Sequence, residues 1–322
     1  MRIPWMNEAA LKQAQQRIAS ARKILVTSHI RPDGDAIGSV LGLGLALQAS
    51  GKEIQMVLED GVPKSFRHLH GSDQIINRPV GLDACTIVVD CSDQVRVGKV
   101  LPENLQPDIN IDHHNTNLNF AAINLVNATA TATSEILAQL LPTWNLPLTP
   151  EVAEALLTGL ITDSLGFRVA SMTPATLRIA ADLFEAGANL PILYTKALHT
   201  RTYEAARYWG TGLSSIQLED RLLWTCLTLE DRQSVNYPGR DDADLINILQ
   251  TVDDADVFVI FIEQNNGSVK VSWRARPGFD VSKIALHFGG GGHKPAAGAE
   301  IQGTLDQIIP QVLEATRPLL SE

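Results

Sequence analysis

Four short stretches of this chain bring carboxylates and imidazoles to the places where apolar runs end. The first is His29-Ile30-Arg31-Pro32-Asp33-Gly34-Asp35, which follows Lys23–Ser28 and leads at once into Ala36-Ile37-Gly38-Ser39. Pro-Asp-Gly by itself is an ordinary turn, but a turn requires neither His29 nor Asp35. The second is Asp90, closing the run Cys85–Asp90; standing alone, such an acid is most often a helix cap or loop residue. Asp112-His113-His114, after Ile109–Ile111, forms the third. Adjacent side chains on an extended segment point in opposite directions, so one imidazole is expected on a metal and the other on something else. The fourth is Asp163, at the end of the helical stretch Pro150–Thr162, where the helix dipole disfavours a negative charge unless a cation compensates.

Together these stretches supply His29, Asp33, Asp35, Asp90, His113 and Asp163, a donor set of oxygen and imidazole without thiolate. Such donors suit Mn²⁺ or Mg²⁺, with imidazole shifting the balance towards manganese; zinc stays open. Six ligands are more than one ion needs if positions are left for water and substrate, and a carboxylate such as Asp90 can bridge two ions. A two-metal site is the economical reading, and its chemistry is hydrolysis of a phosphate ester by an activated water. Farther on, Gly289-Gly290-Gly291-Gly292 precedes His293. Consecutive glycines let a backbone approach an anion closely and turn N–H groups towards it, which makes Gly290, Gly291, Gly292 and His293 candidates for substrate binding. A flexible linker is the weaker reading, since a helical stretch precedes the run and the following KPAAG is not serine-rich.

These groups need a scaffold. Lys23–Ser28, Ile54–Leu58, Cys85–Asp90 and Ile109–Ile111 read as buried strands, and Ala36–Ser50 and Thr131–Leu141 carry helical spacing. That alternation predicts a parallel sheet with helices on both faces, whose ligand crevice lies beyond the carboxyl ends of the strands. Helices are expected next at Pro150–Thr162, Thr173–Ala186 and Leu190–Thr200; periodicity then weakens over 201–212. Strands at Arg221–Leu229, Val257–Glu263 and Ser268–Trp273, with helices at Ala243–Gln250, Val281–Phe288 and Leu305–Leu319, make a smaller α/β domain. The expected organisation is a catalytic domain over 1–200, a linker over 201–212 and a second domain over 213–322. Gly42-Leu43-Gly44 could suggest dinucleotide binding, but it lies inside a helix and lacks the third glycine, so close helix packing explains it better. No G-x-S-x-G elbow supports acyl transfer.

The chain has 322 residues, a length that suits two domains. With 45% hydrophobic and 19% charged residues it should fold throughout. No apolar stretch reaches the length of a bilayer span and no signal-peptide pattern opens the chain, so a cytoplasmic protein without membrane partner is expected. Cys85, Cys91 and Cys226 lack metal-ligand spacing and read as reduced thiols. A net charge of −10 argues against duplex DNA, which requires a basic face. One basic cluster, Lys270, Arg274, Arg276, Lys283 and Lys294 against Asp280, suits a small anionic ligand or is merely a solvated face.

In order, His29-x-x-x-Asp33-x-Asp35, Asp90, Asp112-His113-His114 and Asp163 in Thr162-Asp163-Ser164-Leu165-Gly166-Phe167 resemble the four motifs of the DHH phosphoesterases. Gly289–Gly298 is similar to the signature of the accompanying DHHA1 domain. The resemblance is strongest to the branch of bifunctional oligoribonucleases and 3′-phosphoadenosine 5′-phosphate (PAP) phosphatases. It implies a parallel-sheet DHH domain and a smaller α/β DHHA1 domain with the active-site cleft between them, and two Mn²⁺ ions, with Mg²⁺ as a substitute. It implies one ion on His29 and Asp33 and another on Asp35 and His113, with Asp90 and Asp163 between or near both and Asp112 supporting the histidines. Catalytic roles then fall to Asp90 and His114, and substrate binding to His114, Arg274, the glycines and His293. Arg276 and Lys294 are weaker candidates. The implied substrates are short single-stranded RNA or small nucleotides, and the resemblance admits a homodimer. Rival activities within it are cleavage of cyclic dinucleotides or their linear products and, with less support, inorganic pyrophosphate hydrolysis; a catalytically inactive nucleotide-binding module is the rival outside enzymology.

Overall fold

Lys23–Ser28 and Cys85–Asp90 are nearly continuous apolar runs, the pattern of strands covered on both faces. In the computed structural model, which describes residues 7–82, 84–169 and 171–320, they form central strands of an all-parallel sheet. The chain divides into two compact units, Met1–Thr200 and Arg201–Glu322.

The first unit runs α1 (Glu8–Ser20), β1 (Lys23–Thr27), α2 (Gly34–Ala49), β2 (Glu53–Val57), β3 (Cys85–Val89), β4 (Ile109–Asp112), β5 (Ile123–Val126), α3 (Thr133–Thr143), α4 (Pro150–Asp163), α5 (Pro174–Glu185) and α6 (Leu190–Tyr194). Five parallel strands lie in the order β2-β1-β3-β4-β5. Alternate residues serve opposite faces. Ile24, Val26, Ile87, Val89, Ile109 and Ile111 pack with the α-helices, whereas Leu25, Val57 and Val88 meet Val97, Val100 and Leu101. The two faces expected to carry helices are therefore covered unequally, the second by loops and the short 3-10 helix Gln94–Val97. Strand order reverses between β1 and β3, the topological switch point where such sheets open a crevice at the carboxyl ends of their strands.

Close packing of α2 on α4 sets what meets at that crevice. A Cβ on Gly38 would lie 2.5 Å from the Ala155 carbonyl oxygen, and one on Gly42 would lie 2.4 Å from the Leu156 side chain. Glycine at these positions lets the helix backbones approach, and Gly44 in turn lets α2 lie against Met56 of β2, so Gly42 and Gly44 are packing residues. The same approach carries the start of α2, with Asp35, to the end of α4, with Asp163.

In the second unit the elements are α7 (Tyr203–Ser214), β6 (Gln217–Glu219), β7 (Leu222–Leu227), α8 (Leu229–Ser234), α9 (Leu245–Leu249), β8 (Val257–Glu263), β9 (Ser268–Ala275), α10 (Ser282–His287), β10 (Gly291–His293), β11 (Ala296–Gln302) and α11 (Leu305–Thr316). Six strands form a mixed sheet, β10-β11-β9-β8-β7-β6, in which only β7 and β8 run parallel. Val259, Phe261 and Trp273 face α10 and α11, while Leu223, Phe258 and Ile260 face Tyr208 of α7 and Leu245 and Leu249 of α9.

One sequence expectation changes here. Residues 201–212, read as a linker, lie largely in α7, whose Tyr208 is fully buried. The glycine run ends α10 and begins the exposed edge strand β10, and the Gly290 amide donates to the Ala285 carbonyl 2.8 Å away. Cys85 and Cys91 are buried free thiols and Cys226 is half-buried. Among the described residues, no helix is long and apolar enough to cross a membrane.

Candidate metal centre

The carboxyl ends of β1, β3 and β4 and the end of α4 converge on one cluster. His29 Nε2 lies 3.9 Å from Asp33 Oδ2 and 3.6 Å from Asp90 Oδ2. His113 Nε2 lies 3.7 Å from Asp90 Oδ1 and 3.4 Å from Asp163 Oδ2. Candidate ligand atoms fall into a group of His29, Asp33 and Asp90, a group of Asp35, His113 and Asp163, and a third in which Asp90 joins His113 and His114. All six residues proposed as ligands are thus brought together, with the two oxygens of Asp90 facing different groups. Asp90 also occupies the left-handed backbone region, with φ 51°, a conformation that costs energy for a non-glycine residue and is held by its surroundings. Its amide donates to the Ile111 carbonyl at 2.9 Å.

Each imidazole is oriented through Nδ1. His29 Nδ1 lies 2.9 Å from the Ile30 carbonyl and His113 Nδ1 lies 3.4 Å from that of Ala130. Donation from Nδ1 leaves Nε2 free for a metal. His114 Nδ1 contacts Asp112 Oδ1 at 2.7 Å, and the second oxygen of this fully buried acid accepts from Asn117 Nδ2 at 2.6 Å. Asp112 therefore buttresses His114. The expectation that His113 and His114 point apart does not hold: their ring centres are 4.5 Å apart and both approach Asp90. Strand β4 ends at Asp112, so the alternation of extended backbone does not reach them.

The supporting donors went unread in the sequence. Thr133 N donates to Asp35 Oδ2 at 2.6 Å, Ser134 N to Asp35 Oδ1 at 3.0 Å, and the Ser134 hydroxyl also reaches Oδ1. Thr133 Oγ1 donates to Asp90 Oδ1 at 3.1 Å. Small hydroxylated residues opening a helix look like caps of that helix, which hides a role towards distant carboxylates.

No lysine or arginine pairs with Asp33, Asp35, Asp90 or Asp163 among the described residues. Asp35 and Asp90 are almost wholly buried, so the cluster carries uncompensated negative charge in a low-dielectric place, a setting that fits divalent cations. Protons take their place in the metal-free protein. Burial, aided by Asp90, holds the Asp35 carboxyl up at about 7. Burial and then Asp35 raise Asp163 well above the ordinary range. Burial opposes ionisation of Asp90 as well, but neighbouring His29, His113 and His114 outweigh it and keep this carboxyl below the usual range. For His113, burial works against the proton, yet Asp90, Asp163 and Asp35 prevail and hold the imidazole at about 9.

A metal must displace these protons, so its affinity should rise with pH. Between pH 6 and 8, below the His113 value of about 9, Mn²⁺ binding should strengthen by up to about tenfold per pH unit for each proton released. Calorimetry in buffers of different ionisation heat measures that release. A pH-independent affinity would contradict it.

In the second unit, His293, Ala296, Arg274 and Phe258 stand abreast on four neighbouring strands and so share one face. The Ala296 methyl leaves room between His293 and the Arg274 guanidinium. Arg274 donates to the Trp273 carbonyl at 3.0 Å and has no ion pair among the described residues. Burial lowers its pKa, against the pull of Asp242 and Asp244. Arg276, by contrast, is committed to the carbonyls of Val252 and Ala255 and to Asp253 and Asp256, which leaves it little for a ligand. Lys294, Gly291, Gly292 and His293 are exposed, with the last three on the edge strand.

A five-stranded parallel sheet with carboxylates and imidazoles clustered at its switch point, followed by a smaller mixed-sheet unit, defines a two-unit α/β protein with a candidate metal centre. The family model of the DHH N-terminal domain matches residues 23–160 and that of the DHHA1 domain matches residues 235–322. Over 304 residues the chain is 38% identical to the bifunctional oligoribonuclease and PAP phosphatase NrnA of Thermus thermophilus, covering 92% of this chain and 90% of that one. It is 24% identical to the protein of the same name in Bacillus subtilis, over 86% of this chain and 89% of the other. An exopolyphosphatase-related protein of Bacteroides fragilis superposes with a TM-score of 0.89 at 25% identity, and the match covers 100% of both chains. The chain belongs to the DHH family and carries the DHHA1 domain.

Proposed function

We propose that this chain is a manganese-dependent phosphoesterase that hydrolyses very short oligoribonucleotides and PAP. The observation that carries the reading is Asp90, whose two carboxylate oxygens face two separate groups of metal donors. Relatives named for oligoribonuclease and PAP phosphatase activity, matched over nearly the whole chain, support the substrate class.

His29, Asp33 and Asp90 would hold one ion and Asp35, His113 and Asp163 the other, with Asp90 shared. Divalent ions bound there supply a nucleophile at neutral pH and neutralise charge on the phosphoryl group. The chain's own part is positioning. Asp112 fixes the orientation of the His114 ring through Nδ1, so that its Nε2 edge would meet the substrate phosphate. Arg274, a cation without a carboxylate partner among the described residues, would grip the phosphate remote from the cleaved bond, with His293 beside it on the same face.

The test is a time course with manganese on oligoribonucleotides of graded length, PAP, a cyclic dinucleotide and pyrophosphate. Rates should fall steeply beyond a few nucleotides, because a chain of net charge −10 with one local basic cluster offers no long track for a backbone. Equal or faster degradation of long strands would replace this reading with a processive exonuclease. Preferred cleavage of the cyclic dinucleotide or of pyrophosphate would reassign the substrate.

Remote recognition has its own signature. Arg274→Ala should lower kcat/KM for PAP by about tenfold to a hundredfold, the effect of losing one charge-assisted contact, and His293→Ala should act in the same direction. A small chromogenic phosphodiester lacks the remote phosphate, so its slower hydrolysis should change little. Equal losses on both substrates would assign these residues to the chemistry itself.

A further inference from the structure

Helix α3 begins without a side-chain cap of its own, since the residue before Thr133 is Ala132. The orphan amides of its first turn are satisfied by Asp35, which also places that carboxylate at the positive end of the helix dipole. Thr133 differs from its neighbours because it serves two carboxylates at once. Its amide donates to Asp35 Oδ2 at 2.6 Å and its hydroxyl to Asp90 Oδ1 at 3.1 Å, and the residue is fully buried.

We infer that Thr133 is a positioning residue that registers the two halves of the metal centre, its hydroxyl setting the rotation of the Asp90 carboxylate and its amide fixing Asp35. The inference rests on the reading of both acids as ligands. Three observations carry it. Asp90 must direct Oδ2 to His29 and Oδ1 to His113, 3.6 and 3.7 Å away, and a carboxylate turns freely about its terminal bond unless a donor holds it. Among the described residues, the Thr133 hydroxyl is the neutral side-chain donor bonded to Asp90, so it can stay bonded whichever protons or ions occupy the cluster. The turn itself is braced from behind. Buried Glu135 accepts from Thr131 N at 2.9 Å and from Thr176 Oγ1 at 3.2 Å. Loss of a partner that orients a metal ligand typically weakens metal binding by about ten- to a hundredfold.

The experiment measures Mn²⁺ affinity of the full chain by electron paramagnetic resonance, without substrate. Thr133→Val removes the hydroxyl at constant shape and keeps the amide; Thr133→Ser keeps both donors. Thr133→Val is expected to bind Mn²⁺ about ten- to a hundredfold more weakly, with an altered spectrum, and Thr133→Ser to stay within about threefold of the parent. Circular dichroism without metal should match for all three, because Asp35 still caps α3. Should Thr133→Val fail to fold, Thr133→Ala serves as the hydroxyl-free variant. Unchanged affinity in the hydroxyl-free variant overturns the inference, as does an equal loss in Thr133→Ser, which would make packing the cause. Asp90→Asn separates the two readings. If it too binds Mn²⁺ like the parent, the metal-centre reading fails and takes this inference with it; if it binds weakly while Thr133→Val does not, only the role of Thr133 fails.

Discussion

Asp90→Asn is expected to remove hydrolysis almost completely, by about a thousandfold or more, in a protein that still folds. Asparagine keeps the volume and one carbonyl oxygen but cannot face two cations with two anionic oxygens, which is the relation Asp90 has to the His29 and His113 groups. Loss of a ligand to both ions removes nucleophile and charge neutralisation together, and effects within one catalytic unit do not divide among its members. The fold should tolerate the change. Asparagine fills the same volume and accepts the left-handed backbone that residue 90 adopts. Turnover on a dinucleotide and thermal unfolding, each with and without Mn²⁺, check the two halves of the expectation. A folded variant with parental turnover would dismiss a two-metal mechanism.

A second large loss is expected from a single methyl group that touches no substrate. At Gly159 an added Cβ would lie 2.7 Å from Asp35 Oδ1 and closer still to the Ser134 hydroxyl. Gly159→Ala must therefore push the carboxylate and its donor apart, because α4 is pressed against α2 and the backbone has no room to retreat. Displacement of a reacting group by about 1 Å costs on the order of a hundredfold in rate. Overpacking of the α2–α4 contact adds about 1–3 kcal/mol of destabilisation. Measuring activity well below the melting temperature separates the two effects. Full activity with a lowered melting temperature would show that Asp35 does not need its present place.

What the sequence disclosed and what it hid divide along a physical line. Asp33, Asp35, Asp90 and Asp163 could be read because each ends or follows an apolar run, and the end of a buried strand or helix in a parallel sheet is where a site belongs. Strand β5, Ile123-Asn124-Leu125-Val126, escaped notice because it is short and partly polar. The basic cluster of the second unit was legible as composition but not as charge: Arg276 is neutralised by Asp253 and Asp256, and such pairing across strands leaves no local mark. Arg274, in the same count, has no such partner among the described residues. Thr133 and Ser134 show the sharpest limit. Their partner Asp35 lies 98 and 99 positions away, a distance at which spacing along the chain carries no information.

That separation also governs when the centre comes into being. The first turn of α3 has no local group to satisfy its amides, so in a partly folded chain it frays into water and gains nothing by forming early. It closes only after β1 and α2 have delivered Asp35 from the other end of the unit. Loop-closure entropy of that long connection must be met first by burial elsewhere in the sheet. The first turn of α3 and the placement of Asp35 thus hold each other, and local opening of α3 would release Asp35 and dismantle the cluster in the same motion.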